Sequence, residues 1–315
     1  MDELELRAGR QIIVWGRADK LNPTDRISTR NYTLPFASDD DQRLGSFIVR
    51  AAVPVGSFGR LDVIWSPEFL SNTLLFGQPP SVGIRDQRAN SFVPSQGAIR
   101  YDVSGGQVDW SVSYSNGLDR NPDIAISTPT FIGLQHHRIE TAGVDAAGSF
   151  QGFGLRGEAS LTQTGNDDGN RADIKHSFLY LVAGADTEIM DAVDLNMQFI
   201  LKHTFHYTAP GRFAVPTDQI LSASNNILSE QMSDDRYGVS TRIAWHGFND
   251  AATAEISSVL YPKFGEAYVS GRAAYALTDS IQGFVGFRFL KGEAGSTFGE
   301  LNRASVGFGG IKVGY

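Results

Sequence analysis

The feature that most constrains this chain is a strict two-residue alternation of apolar and polar side chains that recurs along its length. Over residues 193–207, Val193, Leu195, Met197, Phe199, Leu201, His203, Phe205 and Tyr207 share one face. Asp194, Asn196, Gln198, Ile200, Lys202, Thr204 and His206 share the other. Residues 108–115 repeat the pattern, with Val108, Trp110, Val112 and Tyr114 against Asp109, Ser111, Ser113 and Ser115. Successive side chains of a strand point to opposite faces, so the pattern predicts strands lying between two different media. The same reading gives strands over 47–55, 61–65, 99–103, 155–161, 237–245, 254–260, 267–277 and 281–289, and fainter ones over 4–15, 139–146 and 178–185. In the last stretch Ala304, Val306 and Phe308 oppose Arg303, Ser305 and Gly307. The Gly309-Gly310 pair is expected to shift the phase as a β-bulge, so that Ile311, Val313 and Tyr315 rejoin the apolar face. The sum is about fourteen strands, an even number, as bacterial outer-membrane barrels require. The chain also stops on an aromatic, Tyr315, as such barrels do.

The connections alternate in length. Short turns fall at 55–58, 104–107, 148–152, 189–192, 247–250 and 278–280. Longer polar links lie at 17–43, 66–96, 116–135, 165–173, 208–236 and 291–301, and 261–266 is the one short link on that side. Such sidedness separates periplasmic turns from extracellular loops and puts both chain ends on the periplasmic side. Within 208–236, the run Thr217-Asp218-Gln219-Ile220-Leu221 is expected to start a short helix folded into the mouth. Strands of about twelve residues, rising about 3.3 Å per residue and tilted near 40°, span about 30 Å, the thickness of a bilayer core.

Composition narrows the alternatives. No run of about 18 apolar residues exists, so a helical span is excluded, a test that strands escape. With no cysteine, disulfides, thiolate metal sites and a cysteine nucleophile are excluded, and a net charge of −8 argues against nucleic acid as a partner. Alternation alone would also suit a soluble β-sandwich. The sided loops, the terminal aromatic, and Trp65, Tyr114, Tyr207, Tyr237, Trp245 and Phe289 near strand ends favour the membrane. The fold expected is all-β, a transmembrane antiparallel up-and-down barrel forming one domain over residues 1–315. The start, Asp2-Glu3-Leu4-Glu5-Leu6, is already strand-like and lacks the features of a secretory signal. Either a signal has been removed or the chain is the C-terminal part of a larger barrel.

If the apolar face meets lipid, the polar face lines a lumen. Its basic members are Arg7, Arg50, Arg60, Arg100, Arg156, Lys202, Arg242, Arg272, Arg288 and Arg303, and its acidic ones Asp62, Asp102, Asp109, Asp145, Glu158, Asp194 and Glu255. Charges facing hydrocarbon would cost several kcal/mol, so these face water or one another. One reading is a wet conduit with a cationic bias, suited to small polar or anionic solutes. The other is a ladder of cross-strand ion pairs that fills and stiffens the barrel. Trp15 sits on the lumen-facing parity and is followed by Gly16, Arg17, Ala18 and Asp19, then by the turn-forming Asn22-Pro23-Thr24-Asp25. Trp15, Arg17, Asp19, Asn22 and Asp25 are therefore expected either to pin the first loop inside the barrel or to form a constriction.

A strand with Gly9-Arg10-Gln11, ending in Trp15-Gly16 and followed by Asn22-Pro23-Thr24-Asp25, resembles a poorly characterised group of proteobacterial outer-membrane barrels. That group is linked with exporters of the resistance-nodulation-division class and with traffic of lipids or hydrophobic compounds. The Gly-Arg-Gln strand is also similar to that of alginate-export porins. The motif covers residues 4–25. Members are usually longer, with strands ahead of the motif. The resemblance implies a porin-like channel or, alternatively, a non-conducting component of an export or lipid-transfer system with a periplasmic exporter or lipid-carrier partner.

Catalysis finds little support. His136 and His137 are adjacent and so point apart, as do His203 and His206 by parity, and no hydrolase, phosphate-loop or metalloprotease motif occurs. Asp39-Asp40-Asp41 suits either a solvated loop tip or a site for calcium or lipopolysaccharide-bridging cations. The expectation is a bacterial outer-membrane protein that uses no cofactor or resident metal and meets membrane lipid, lipopolysaccharide and small solutes.

Overall fold

The computed structural model describes residues 4–34, 42–75, 83–86, 90–93, 95–278 and 280–314. Fourteen strands form one antiparallel sheet in which each strand pairs with the next in sequence. They are β1 (Glu5–Gln11), β2 (Ser46–Val55), β3 (Gly59–Trp65), β4 (Gly97–Val103), β5 (Val108–Leu118), β6 (Arg138–Phe150) and β7 (Phe153–Gln163). The series continues with β8 (Phe178–Met190), β9 (Val193–Thr204), β10 (Asp235–Gly247), β11 (Ala252–Tyr261), β12 (Glu266–Thr278), β13 (Ile281–Lys291) and β14 (Val306–Val313). Each of the strands read from alternation is present. Among the described residues no ladder joins β1 to β14.

Burial is inverted relative to a soluble protein. Met197, Phe199, Tyr237, Val239 and Trp245 lie exposed on the outer face. On the inner face of the same two strands Asn196, Gln198 and Ser240 are buried. A sandwich would hide the first set and wet the second. This protein does the reverse, as a barrel in lipid must.

The sheet curls around its own N-terminal segment. Residues 12–34 leave β1 and run inward, where they bond to side chains of β4, β6, β7, β9, β10, β11 and β13. In a flat sheet β4 and β13 would stand about 40 Å apart at the usual strand spacing. One short segment meets both only because the sheet rolls into a cylinder.

Local differences from the sequence reading have identifiable causes. The strand expected over 4–15 ends at Gln11, because Ile13 and Trp15 turn inward and pack with Ile27, Ile48, Ile64 and Ala98. The strand expected to reach 207 ends at Thr204. No bulge occurs at Gly309-Gly310, where the β13–β14 register runs unbroken from Arg288↔Val306 to Ile281↔Val313. Phe308 therefore faces inward, opposite to Ile311 and Val313. The glycine at 310 instead makes room for the neighbouring Phe284 ring, which would lie 2.8 Å from a β-carbon there. Arg303 belongs to a 3₁₀ turn, Asn302–Ala304, ahead of the strand.

The long links also hold structure of their own. Asp123–Thr128 pairs with Phe131–Gln135, which pairs in parallel with Gly83–Asp86. Glu68–Leu70 pairs with Asn90–Phe92, and Thr29–Arg30 with Arg43–Leu44. The helix expected near 217 is α1 (Pro216–Leu228), with a proline in its first turn where no N–H is needed. Asn225 on α1 accepts from the Ile124 N–H (2.6 Å) and donates to the Ile124 and Ala172 carbonyls (each 2.9 Å), docking the helix on the neighbouring loops. Tyr315 and Asp39-Asp40-Asp41 lie outside the described residues.

Candidate functional site

The inner segment is anchored about half-way along the strands, and the centre of the anchor is Glu158 on β7. This carboxylate accepts from the N–H groups of Arg17 (3.1 Å), Ala18 (3.1 Å) and Thr24 (2.6 Å) and from the Thr24 hydroxyl (2.7 Å). The Asn22 amide approaches to 3.5 Å while donating to the Ala18 carbonyl at 2.8 Å. One buried charge thus gathers the first loop into a hook, with charge-assisted bonds to backbone donors in place of a counter-ion. Gly16 makes this possible. It holds φ at +97°, and a β-carbon there would run into the Glu158 carboxylate.

Arginines fasten the hook on either side. The Arg17 guanidinium binds Asp145 on β6 and, at 3.0 Å, Asp102 on β4. Arg100 joins Asp102 at 2.9 Å and Asp145 at 3.1 Å, and the Ser111 hydroxyl donates to Asp145. Trp15, only 4% exposed, packs beneath the Arg100 guanidinium, 5.8 Å from its ring centre. Across the barrel, Asp19 exchanges two 2.9 Å backbone bonds with the Gln198 amide on β9 and accepts from Arg242 on β10. Lys20 binds Glu255 on β11, which lies 3.7 Å from Arg242. Asp25 is held by Arg43 and, at 3.6 Å, by Arg30. Trp15, Arg17, Asp19, Asn22 and Asp25 therefore all lie inside the barrel; Arg100, Asp102, Asp145, Glu158, Gln198 and Arg242 are wall residues they meet, and Glu255 is met through Lys20.

The remaining lumen residues lie outside this cluster, except that Arg156 also reaches the Arg17 carbonyl at 3.5 Å. Arg50 pairs with Asp62 across β2 and β3 (2.7 Å), and Arg60 with Asp62 (3.2 Å) and Glu5 (2.9 Å). Arg156 binds Asp186 at 2.8 Å near the short-turn end. Asp109 accepts from the Gly105 N–H (3.0 Å), so it ties a short turn. Lys202 donates to the Ser229 carbonyl (2.5 Å) over the Phe178 ring. Arg272 lies 4.8 Å from the Phe284 ring centre, and Arg288 reaches the Tyr32 and Ala304 carbonyls.

The long-loop end carries a second buried network that the alternation did not reveal. Lys175 binds Asp119 at 2.9 Å and Asp123 at 3.4 Å, and donates to the Asn121 carbonyl. Burial pushes the Asp119 carboxyl up, but the Lys175 and Arg26 charges outweigh it and leave the group below its usual range. Burial likewise pulls Lys175 down, and Asp119 and Asp123 reverse this and hold the ammonium above its usual value. Arg120, buried with the Thr29 hydroxyl and Leu70 carbonyl as its acceptors among the described residues, is lowered to about 10 by desolvation against the pull of Asp25 and Asp119. The Gln231 amide clamps both backbone groups of His176 at 2.9 Å. His136 bonds Asp86 and the Asp119 carbonyl, and His137 bonds Asp123. Each histidine is thus occupied separately, and among the described residues no group of three His, Asp or Glu side chains is placed to hold a metal.

No family model and no curated protein matches the chain. The resemblance carried by residues 4–25 therefore rests on its motif. Solved structures that it resembles are porins. An engineered variant of Rh. blastica porin is 14% identical, aligned over 89% of this chain and 79% of that one at a TM-score of 0.43. A second variant of that porin aligns over 89% and 81%, also at 0.43 and 14% identity. A porin refined at 1.8 Å is 13% identical over 91% and 90%, with a TM-score of 0.49. Likeness this distant carries no argument, and the barrel stands on its ladder of strands and its inverted burial.

Proposed function

We propose that this protein is a bacterial outer-membrane channel whose bore is set by the inner segment 12–34 and through which small polar or anionic solutes diffuse. The observation that carries this reading is the charged lumen wall, still wetted toward the short turns. There the Arg60 and Arg156 side chains remain 44% and 43% exposed. No chemical step is needed, and the apolar outer face meets membrane lipid and lipopolysaccharide. In this orientation the short turns face the periplasm.

A second reading draws on the inner segment itself. Ties to seven strands are what a fixed plug would need. A plugged barrel would serve as a non-conducting component of an export or lipid-transfer system, with a periplasmic carrier docking at the short turns. Single-channel recording of the refolded protein in a planar bilayer separates the two. Steady conductance with an ion preference in a salt gradient supports the channel. A folded, heat-modifiable barrel that never conducts would overturn it in favour of the plug.

A further inference from the structure

The arginines of the lumen wall divide by strand. Arg50, Arg60, Arg100, Arg156, Arg236 and Arg242, on β2 through β10, each meet a carboxylate. Among the described residues Arg272 on β12 and Arg288 on β13 meet none. Nearby acids are committed elsewhere. Glu255, opposite Arg272 in the β11–β12 ladder, is bound by Lys20 and Arg242. Glu266 is bound by Arg236 and by the Phe298 N–H.

These two guanidiniums are neighbours. Arg272 pairs with Gly286 and Arg288 with Ser270, so they sit diagonally on one face, within reach of a common ligand. Arg288 is 9% exposed, and among the described residues its terminal nitrogens reach the Tyr32 and Ala304 carbonyls alone, at 3.4 and 3.5 Å. Among the described residues the buried Nε of each arginine has no acceptor. Burying like charges without a carboxylate is costly, and an anion lying between them would offset that cost.

Two aromatic rings complete the patch. Phe284 lies under the Arg272 guanidinium and is seated over Gly310, while Phe308 is seated over Gly286, where a β-carbon would come within 2.6 Å of its ring. Glycines on the adjacent strands thus let both rings lie against the wall beside the arginines.

We propose that Arg272, Arg288, Phe284 and Phe308 form a binding site for monocarboxylates with a flat apolar body. The carboxylate bridges the guanidiniums and the body stacks on the rings. The site names a solute class for the channel and rests on the reading of the lumen as a conduit.

The test is titration calorimetry of benzoate, with acetate as the comparison, into the detergent-refolded protein, alongside bilayer currents recorded with each salt. Benzoate is expected to bind about tenfold more tightly than acetate through ring stacking. An Arg272→Gln/Arg288→Gln double variant is expected to lose at least about tenfold of that affinity with its heat-modifiability intact. Arg272→Gln alone, at a half-buried position, serves if the double variant does not fold. Phe284→Leu is expected to remove the preference for benzoate while sparing acetate. Benzoate affinity unchanged in the arginine variants, or equal affinity for acetate and benzoate, overturns the site. Benzoate binding without any bilayer current leaves the site standing and overturns the conduit. Current without benzoate binding does the opposite.

Discussion

At the long-loop end Lys175, Asp119, Asp123 and Arg236 keep between 1% and 6% of their side chains exposed, and each is bound to an opposite charge. At the short-turn end Arg60, Arg156 and Asp186 also form ion pairs, yet keep 30–44% exposed. The same residue types therefore do different work at the two ends. Buried pairs lock loops and the inner segment in place, and removing one partner strands the other in a poorly solvated site. Exposed pairs are screened and contribute little to stability, and their charges stay in contact with water. The barrel is held together from its long-loop half and is wet from its short-turn half, with the Glu158 hook at the boundary.

Breaking the boundary should give the largest effect. Glu158→Ala leaves three backbone N–H groups without their acceptor and is expected to cost on the order of 3 kcal/mol, since bonds to a charged group are worth about 1.5–3 kcal/mol each before relaxation. Denaturant unfolding in detergent and protease cleavage within residues 12–34 would register it. Cleavage no faster than in the wild type would mean the hook is dispensable.

Next comes Arg17→Ala, which leaves the fully buried Asp145 with Arg100 and Ser111 as its charged and hydroxyl partners. A loss of about 2–3 kcal/mol is expected by the same unfolding measurement, smaller than the usual full cost of breaking a buried pair because Arg100 remains.

The long-loop network should also show a defined pH window. Asp119 titrates below its unfolded value near 3.9, so its contribution is present above about pH 4 and is lost as pH falls through the lower, folded value. Lys175 titrates above its unfolded value near 10.4, so its contribution is present below that pH and is lost as pH rises through the higher, folded value. Burial also holds the His176 imidazole below its usual value, so hydrogen exchange of residues 119–124 and 172–177 should be flat only between about pH 7 and pH 10 after correction for intrinsic rates, and rise outside that window. Lys175→Met should abolish the flat region, and a profile unchanged by that substitution would separate the network from loop stability.

Smallest of all, Arg156→Ala at the wet end should cost no more than about 1 kcal/mol. A larger loss would erase the contrast between the two ends.

How much of this was legible beforehand depended on whether a signal repeats. Alternation is a repeating signal, and it located all fourteen wall strands with the short and long connections between them. Strands such as Glu68–Leu70 and Asn90–Phe92, three residues each, are too short to show a period. The reading of Ile12 to Trp15 as strand was misled because the residues do alternate, but they pack inside the lumen. At Gly309-Gly310 a pair of glycines suggested a bulge, whereas their use is to accommodate a ring on the next strand, which only the register shows. Within the site, Trp15, Arg17, Asp19, Asn22 and Asp25 stood out by parity and turn chemistry. Glu158 stood out only as one acid among several. Its partners are mainly backbone N–H groups from 134 to 141 residues away, and a backbone donor has no letter in the sequence. Lys175, Asp119 and Asp123 sit in loops without periodicity, so their meeting left no local trace.

The most direct measurement of whether the inner segment sets the bore is the single-channel conductance of Glu158→Gln against the wild type, in the same bilayer and salt. If the hook narrows the lumen, the variant should conduct several-fold more or flicker between a wild-type and a larger level. Identical, steady conductance in both proteins would contradict it and place the narrowest point elsewhere in the barrel.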